Sequence, residues 1–178
     1  MAAVKNQQRF ETLLTSEVYQ AAWRYCLRLR RGREDAEDLL QESLVRAFTR
    51  LSQLRDEGRF KSWLLSIVRR RFLDRYRRER SRPPVLSEPE PQPASEDPLV
   101  AHIAETLTRL PAPQRELISL FYIDGLSLKE TGQVLGIRPQ VVRQRLYRAR
   151  RALRRLLDAA PIVTTTASSR GGECHETN

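Results

Sequence analysis

Apolar residues recur at helical spacing along most of this chain, and they never alternate strand-fashion over a useful length. Phe10, Leu13, Leu14, Val18, Ala21, Tyr25 and Leu29 form a first stripe. Ala36, Leu39, Leu40, Leu44, Ala47, Phe48 and Leu51 form a second, and Phe60, Trp63, Leu64, Ile67, Val68 and Phe72 a third. The polar run Arg55-Asp56-Glu57-Gly58-Arg59 connects the last two. Further on, Leu99, Ile103, Leu107 and Leu110 predict another helix, and Leu117, Ile118, Leu120 and Phe121 the next. Pro111 and Pro113 punctuate their junction, and Asp124-Gly125 ends the second of them. Ser127 and Glu130 then make a Ser-x-x-Glu capping box, which satisfies free backbone N–H groups and starts a short helix with Leu128, Val134 and Leu135 on its apolar side. Leu135-Gly136-Ile137 turns the chain, and Pro139 suits the first turn of the final helix, where its missing N–H costs nothing. Val142, Leu146, Ala149, Leu153, Leu156 and Leu157 give that helix its buried stripe. The pattern predicts an all-α protein ending in a helix-turn-helix.

One stretch breaks the periodicity. Residues 81–98 hold six of the ten prolines and five charges, four of them acidic. Such a segment cannot bury enough surface to fold and reads as a flexible, extended linker of roughly 56 Å reach at ~3.1 Å per residue. It divides the chain into a helical bundle over 1–80 and a four-helix domain over 99–158 that contains the helix-turn-helix. Residues 159–178 read as a disordered tail. Both lobes are near the lower size limit for independent folding, burying only ~60% of their extended-chain surface.

Charge sharpens the picture of the last helix. The chain carries a net charge of +10, and arginine supplies 29 of its 32 cations. Eight arginines and no acid fall between Arg138 and Arg155. One face packs and the rest is cationic, as a helix lying against DNA requires. The guanidinium fork suits phosphates and guanine edges better than a lysine ammonium does.

Other chemistries find little support. Two cysteines make no disulfide framework, and Cys26, at helical spacing from Ala22 and Leu29, reads as a small buried hydrophobe. Cys174-His175 alone cannot complete a zinc site. The sequence has no phosphate-cradling glycine loop, no nucleophile elbow and only two histidines, so neither an enzyme nor a cofactor is expected. No apolar run approaches the ~20 residues that span a bilayer, and the N-terminus lacks the apolar core of a signal peptide, which predicts a cytoplasmic protein.

Two surfaces in the first lobe differ from ordinary solvated faces. The second helix opens with acids, and Asp38, Gln41, Glu42 and Val45 share an outer face at i, i+3 and i+4 spacing. In a chain this basic, an acidic face suggests docking to a basic protein partner. The third helix ends in arginines interleaved with Phe72 and Tyr76, a composition that binds single-stranded nucleic acid through phosphate attraction and base stacking.

Taken together, these segments resemble the extracytoplasmic-function (ECF) sigma factors of bacterial RNA polymerase, from about Phe10 to Leu157. Asp35–Phe48 resembles the segment that grips the polymerase clamp, and the resemblance implies core contacts from Asp35, Asp38, Gln41, Glu42 and Val45. Phe60–Arg78 resembles the segment that melts and reads the −10 element, which implies roles for Arg55, Asp56, Arg59, Arg70, Asp74, Tyr76 and Arg77. Leu110–Leu157 resembles the segment that reads the −35 element, implying Ser127, Lys129, Arg138, Gln140, Arg143, Gln144, Arg145 and Arg148. Arg70 stands where the family usually has asparagine, and Thr131-Gly132 where it has a more apolar pair. The implied partners are the core polymerase (β′ clamp and β flap), promoter DNA and an anti-sigma factor. The competing reading is a stand-alone helix-turn-helix regulator whose N-terminal lobe senses or dimerises, but such a regulator needs neither acidic docking nor single-strand chemistry.

Overall fold

A computed structural model describes residues 2–30, 32–79 and 97–159, and among these every regular element is helical. The long first stripe is not one helix. The chain forms α1 (Ala2–Leu13), breaks, and resumes as α2 (Ser16–Leu29), because the Thr15 backbone turns extended and its hydroxyl accepts the Val18 N–H at 3.4 Å. Phe10, Leu13, Leu14 and Val18 all pack on one core, so the periodicity runs unbroken across the cap.

Next comes α3 (Arg33–Thr49), then two single turns of 3₁₀ helix (Leu51–Gln53 and Glu57–Arg59), then α4 (Phe60–Glu79). Buried Leu51 and Leu54 pin the connection to the core, while Asp56 caps its second turn by accepting the Gly58 N–H at 3.0 Å. Helices α2, α3 and α4 pack around Tyr25, Leu39, Leu40, Leu64, Leu65 and Val68, each at most 2% exposed. Phe10 sets its edge against Phe48 and Phe60, with ring centroids 5.5 and 5.8 Å away, and this ties α1 to α3 and α4.

The second lobe starts inside the segment expected to be linker. Asp97 accepts the Leu99 N–H at 2.8 Å and Pro98 takes the first helical position, so these two residues open α5 (Pro98–Thr108). Residues 81–96 of the expected linker and 160–178 of the expected tail lie outside the described residues. After Pro111, α6 (Ala112–Ile118) runs on into a π turn at Ser119–Ile123. The capping box at Ser127 and Glu130 is present and starts α7 (Leu128–Leu135). Gly136 ends α7 at φ 69°, a left-handed conformation that costs glycine nothing, and α8 (Pro139–Ala159) follows. Leu110, Leu117, Ile118, Val142, Leu146 and Ala149 form this lobe's own core.

The lobes are not separate bodies. Leu120, Leu126 and Val134 of the second lobe belong to the same buried cluster as Leu65 and Val68 of α4, and α7 lies directly on α4. Two lobes that are individually marginal in size therefore share apolar burial.

Candidate nucleic-acid and protein interfaces

The first lobe holds its acidic candidates unequally. Asp38, Gln41 and Val45 are exposed on α3, Val45 by 65%. Asp35 instead turns toward its own lobe, with its carboxylate 2.9 Å from Arg30 and 3.5 Å from Arg75. Glu42 remains on the outer face but pairs with Arg71 at 2.5 Å. The outward-facing patch is thus centred on Asp38, Gln41 and Val45, with an apolar valine at its edge and neutralised charge beside it.

On α4, Arg70, Tyr76 and Arg77 are exposed as the sequence pattern requires. The Phe72 and Tyr76 rings stack at 6.1 Å with an interplanar angle of 28°, and Tyr76 remains about half exposed. Arg55, Asp56 and Arg59 sit in the preceding connection, where Asp56 is held by Arg59 at 2.9 Å. Arg70 and Asp74 also line a cleft of about 200 Å³ with Arg46, Arg50, Gln53 and Trp63. Those last four were not candidates from sequence. Arg46 lies in the last turn of α3 and Arg50, four residues on, caps it, while Trp63 precedes Arg70 by two helical turns, so the spacing held the signal once α3 and α4 were known to face each other. A cleft with an aromatic wall and several donor-only guanidinium groups suits an unstacked base and its phosphate.

On α8, packing separates two faces. Val142, Leu146 and Ala149 are buried, whereas Gln140, Arg143, Gln144, Arg145 and Arg148 are exposed. Tyr147 shares the outward stripe at four residues from Arg143, is 57% exposed and carries the Arg151 guanidinium 6.0 Å from its ring centroid. It was missed because tyrosine reads as part of a packing stripe in a helix with so many leucines. Lys129 and Arg138 are exposed. The Ser127 hydroxyl is already committed to the Glu130 carboxylate at 2.6 Å, so its part here is to fix where α7 begins. Gly132 lets the two helices of the motif close: a Cβ there would lie 2.6 Å from the Ile137 carbonyl oxygen.

The described residues contain no cluster of His, Cys, Asp or Glu able to hold a metal ion, and no helix long and apolar enough to cross a membrane. Cys26 is buried, and burial pushes its thiol up to about 12.

Residues 14–82 match the family model for sigma-70 region 2, and residues 102–153 that for sigma-70 region 4. The chain is 33% identical over 169 residues to the ECF RNA polymerase sigma factor SigL of Mycobacterium tuberculosis, an overlap covering 86% of this chain and 94% of SigL. It is 37% identical over 143 residues to the ECF RNA polymerase sigma factor SigE of Mycolicibacterium smegmatis, covering 74% of this chain but only about half (55%) of that relative. Among solved structures, it is similar to the sigma factor RpoE of Bartonella quintana in complex with the anti-sigma factor NepR. The TM-score there is 0.67 at 28% identity, over 80% of this chain and 93% of that one.

Proposed function

The chain belongs to the ECF sigma factors of RNA polymerase, and on that premise we propose that it joins the core enzyme as a dissociable subunit and directs it to a subset of promoters. The observation that carries this reading is the coexistence, in one chain, of a duplex-reading helix and a single-strand cleft. The first is the exposed Gln–Arg stripe of α8, and the second is the arginine–tryptophan cleft between α3 and α4. A protein that only binds duplex has no use for the cleft.

Within this reading each surface has a part. Asp38, Gln41 and Val45 meet basic residues of the β′ clamp, where charge complementarity sets steering and register. The second lobe engages the β flap and carries α8 into the major groove of the −35 element. Gln140, Arg143 and Gln144 in the N-terminal half of α8 reach base edges, while Arg145 and Arg148 meet phosphates. Arg55, Arg59, Arg70 and Tyr76 take the non-template strand of the −10 element as it unstacks. Chemistry stays with the polymerase, in the cytoplasm, and this chain supplies only position and strand opening. The likeness to RpoE, which was solved with an anti-sigma factor, supports a partner of that kind here.

The test is reconstitution. The purified chain, added to bare core on supercoiled genomic templates, is expected to produce transcripts with defined 5′ ends that core alone does not make. Defined repression with no initiation would favour a stand-alone regulator instead.

A further inference from the structure

The connection that leads into α4 is charged at four of its five residues from Arg55 to Arg59, and both of its acids are held. Asp56 accepts the Gly58 N–H at 3.0 Å with one carboxylate oxygen and meets the Arg59 Nε at 2.9 Å with the other. The Glu57 carboxylate takes no hydrogen bond from the connection itself. It accepts the Arg9 Nε at 2.7 Å instead, from α1, 48 residues back along the chain. The next residue of α1, Phe10, sets its ring edge against Phe48 of α3 and against Phe60, which follows Arg59 directly and is buried. One residue into α4, Lys61 meets Glu17 of α2 at 3.0 Å. Buried Leu54 anchors the other end, so residues 55–59 are fixed at both ends and braced at Glu57 from α1.

The Arg9–Glu57 pair is poorly placed to stabilise the fold. Its side chains are 34% and 58% exposed, and ion pairs that water reaches this freely add little to folding. Its location is what gives it a part. In the proposed function, Arg55 and Arg59 of the same connection meet the −10 strand. A bare carboxylate between them would repel the phosphates at the point where they must be gripped. Arg9 neutralises that carboxylate, and its directed, charge-assisted hydrogen bond also fixes where the turn sits. The helix that carries Arg9 lies ahead of residues 14–82, which match sigma-70 region 2, so the match attaches no role to it.

We propose that Arg9 is a positioning residue for promoter opening: by bonding Glu57 it holds the 55–59 connection in the shape that receives the unstacked −10 strand, and so makes α1 part of the strand-opening apparatus. This rests on the sigma-factor reading and on its −10 assignment. Arg9 acts through Glu57 and not on DNA, since its Nε is committed to that carboxylate. Phe10 locks α1 onto the core beside it, so Arg9 reaches out from a rigid base. The turn is thereby placed by core packing rather than by its own five residues, which is how a loop comes to hold a binding geometry closely.

Holoenzymes carrying Arg9→Ala, Glu57→Ala or both test this on a promoter defined by transcript 5′ ends. Permanganate reactivity of the −10 thymines should fall several-fold in each single variant and no further in the double, because one contact can be lost only once. Glu57→Ala removes the carboxylate as well, so only a role in positioning predicts a loss there. Arg9→Glu should open promoters worse than Arg9→Ala, and Arg9→Glu with Glu57→Arg should recover most of the reactivity. Core affinity and −35 duplex binding should stay at wild-type values throughout. Normal opening by Glu57→Ala, or losses that multiply in the double variant, overturns the proposal in favour of a direct contact between Arg9 and DNA. Lost core affinity overturns it in favour of a part in folding or docking. Normal opening by Arg59→Ala would instead strike the −10 assignment of the connection, and a wild-type chain that cannot programme core would strike the sigma-factor reading.

Discussion

The Arg71 guanidinium on α4 meets the Glu42 carboxylate on α3 at 2.5 Å, in a pair whose side chains are only 30% and 44% exposed. This contact stitches the two helices that line the arginine–tryptophan cleft, and it neutralises one acid of the proposed docking face. The exposed charge at the centre of that face is then Asp38. Asp38→Arg should weaken co-purification with core polymerase by tenfold or more, at ~1.4 kcal/mol per tenfold, whereas Glu42→Gln should chiefly loosen the α3–α4 pair and lower the melting temperature. If Asp38→Arg binds core as wild type does, the docking face lies elsewhere.

If α8 reads the −35 element as proposed, its base contacts and its phosphate contacts should separate by their response to salt. Arg143→Ala should flatten the preference among −35 sequence variants, since a bidentate arginine–guanine contact is worth ~1–3 kcal/mol of discrimination. Arg148→Ala should weaken all such sequences about equally and reduce the salt slope by roughly one unit. Binding titrations over a salt series check both. The opposite assignment of effects would mean that α8 is rotated in the groove.

Gly132 is poor helix material at ~1 kcal/mol against alanine, so on propensity alone Gly132→Ala should stabilise α7. The new Cβ would lie 2.6 Å from the Ile137 carbonyl oxygen, a backbone atom, so the tight turn itself would have to shift. We expect net destabilisation of ~1–3 kcal/mol in urea titration, together with lost −35 binding from a splayed motif. A more stable variant would show that the turn relaxes freely.

Strand opening should depend on the cleft and on the tyrosine beside it. In holoenzymes carrying Arg70→Ala or Tyr76→Ala, permanganate reactivity of −10 thymines should fall while −35 duplex binding persists, as stacking contributes ~1–3 kcal/mol per base. Normal melting in both variants would leave these side chains with a structural part only.

Cys26 offers a probe of the core. With its thiol pushed up to about 12 by burial, it holds almost no thiolate near neutral pH. In a Cys174→Ser background, a thiol-specific chromogenic reagent at pH 8 should find no reactive group in the native protein and one after denaturation. Rapid native reaction would mean that the α2 contacts open easily.

What could be read from sequence was local. The capping box at Ser127, the left-handed Gly136 and Pro139 at the start of α8 each act within a few residues, so the helix-turn-helix was legible almost atom by atom. The Thr15 break was hidden because Phe10, Leu14 and Val18 keep one period across it. Asp97 and Pro98 matched the acidic, proline-rich composition of the run before them, although the same pair is a helix cap. The resemblance implied a core contact from Asp35, yet Arg30 and Arg75 hold its carboxylate toward its own lobe. The seam between the lobes had no local sign at all: Tyr25 and Glu116 are 91 residues apart, and each is unremarkable in its own helix.

One consequence follows from the shortness of α7. A helix of eight residues is well below the length at which isolated helices persist in water, so its capping box alone cannot keep it folded. It is supported on one side by α8 and on the other by α4, a helix of the other lobe. The backbone amides of α7 therefore act as a hydrogen-exchange reporter on that support: well protected while α4 and α8 both cover the helix, and faster to exchange wherever that cover is lost. The first helix of the helix-turn-helix is in this sense a segment whose folding is lent by the two helices it lies against.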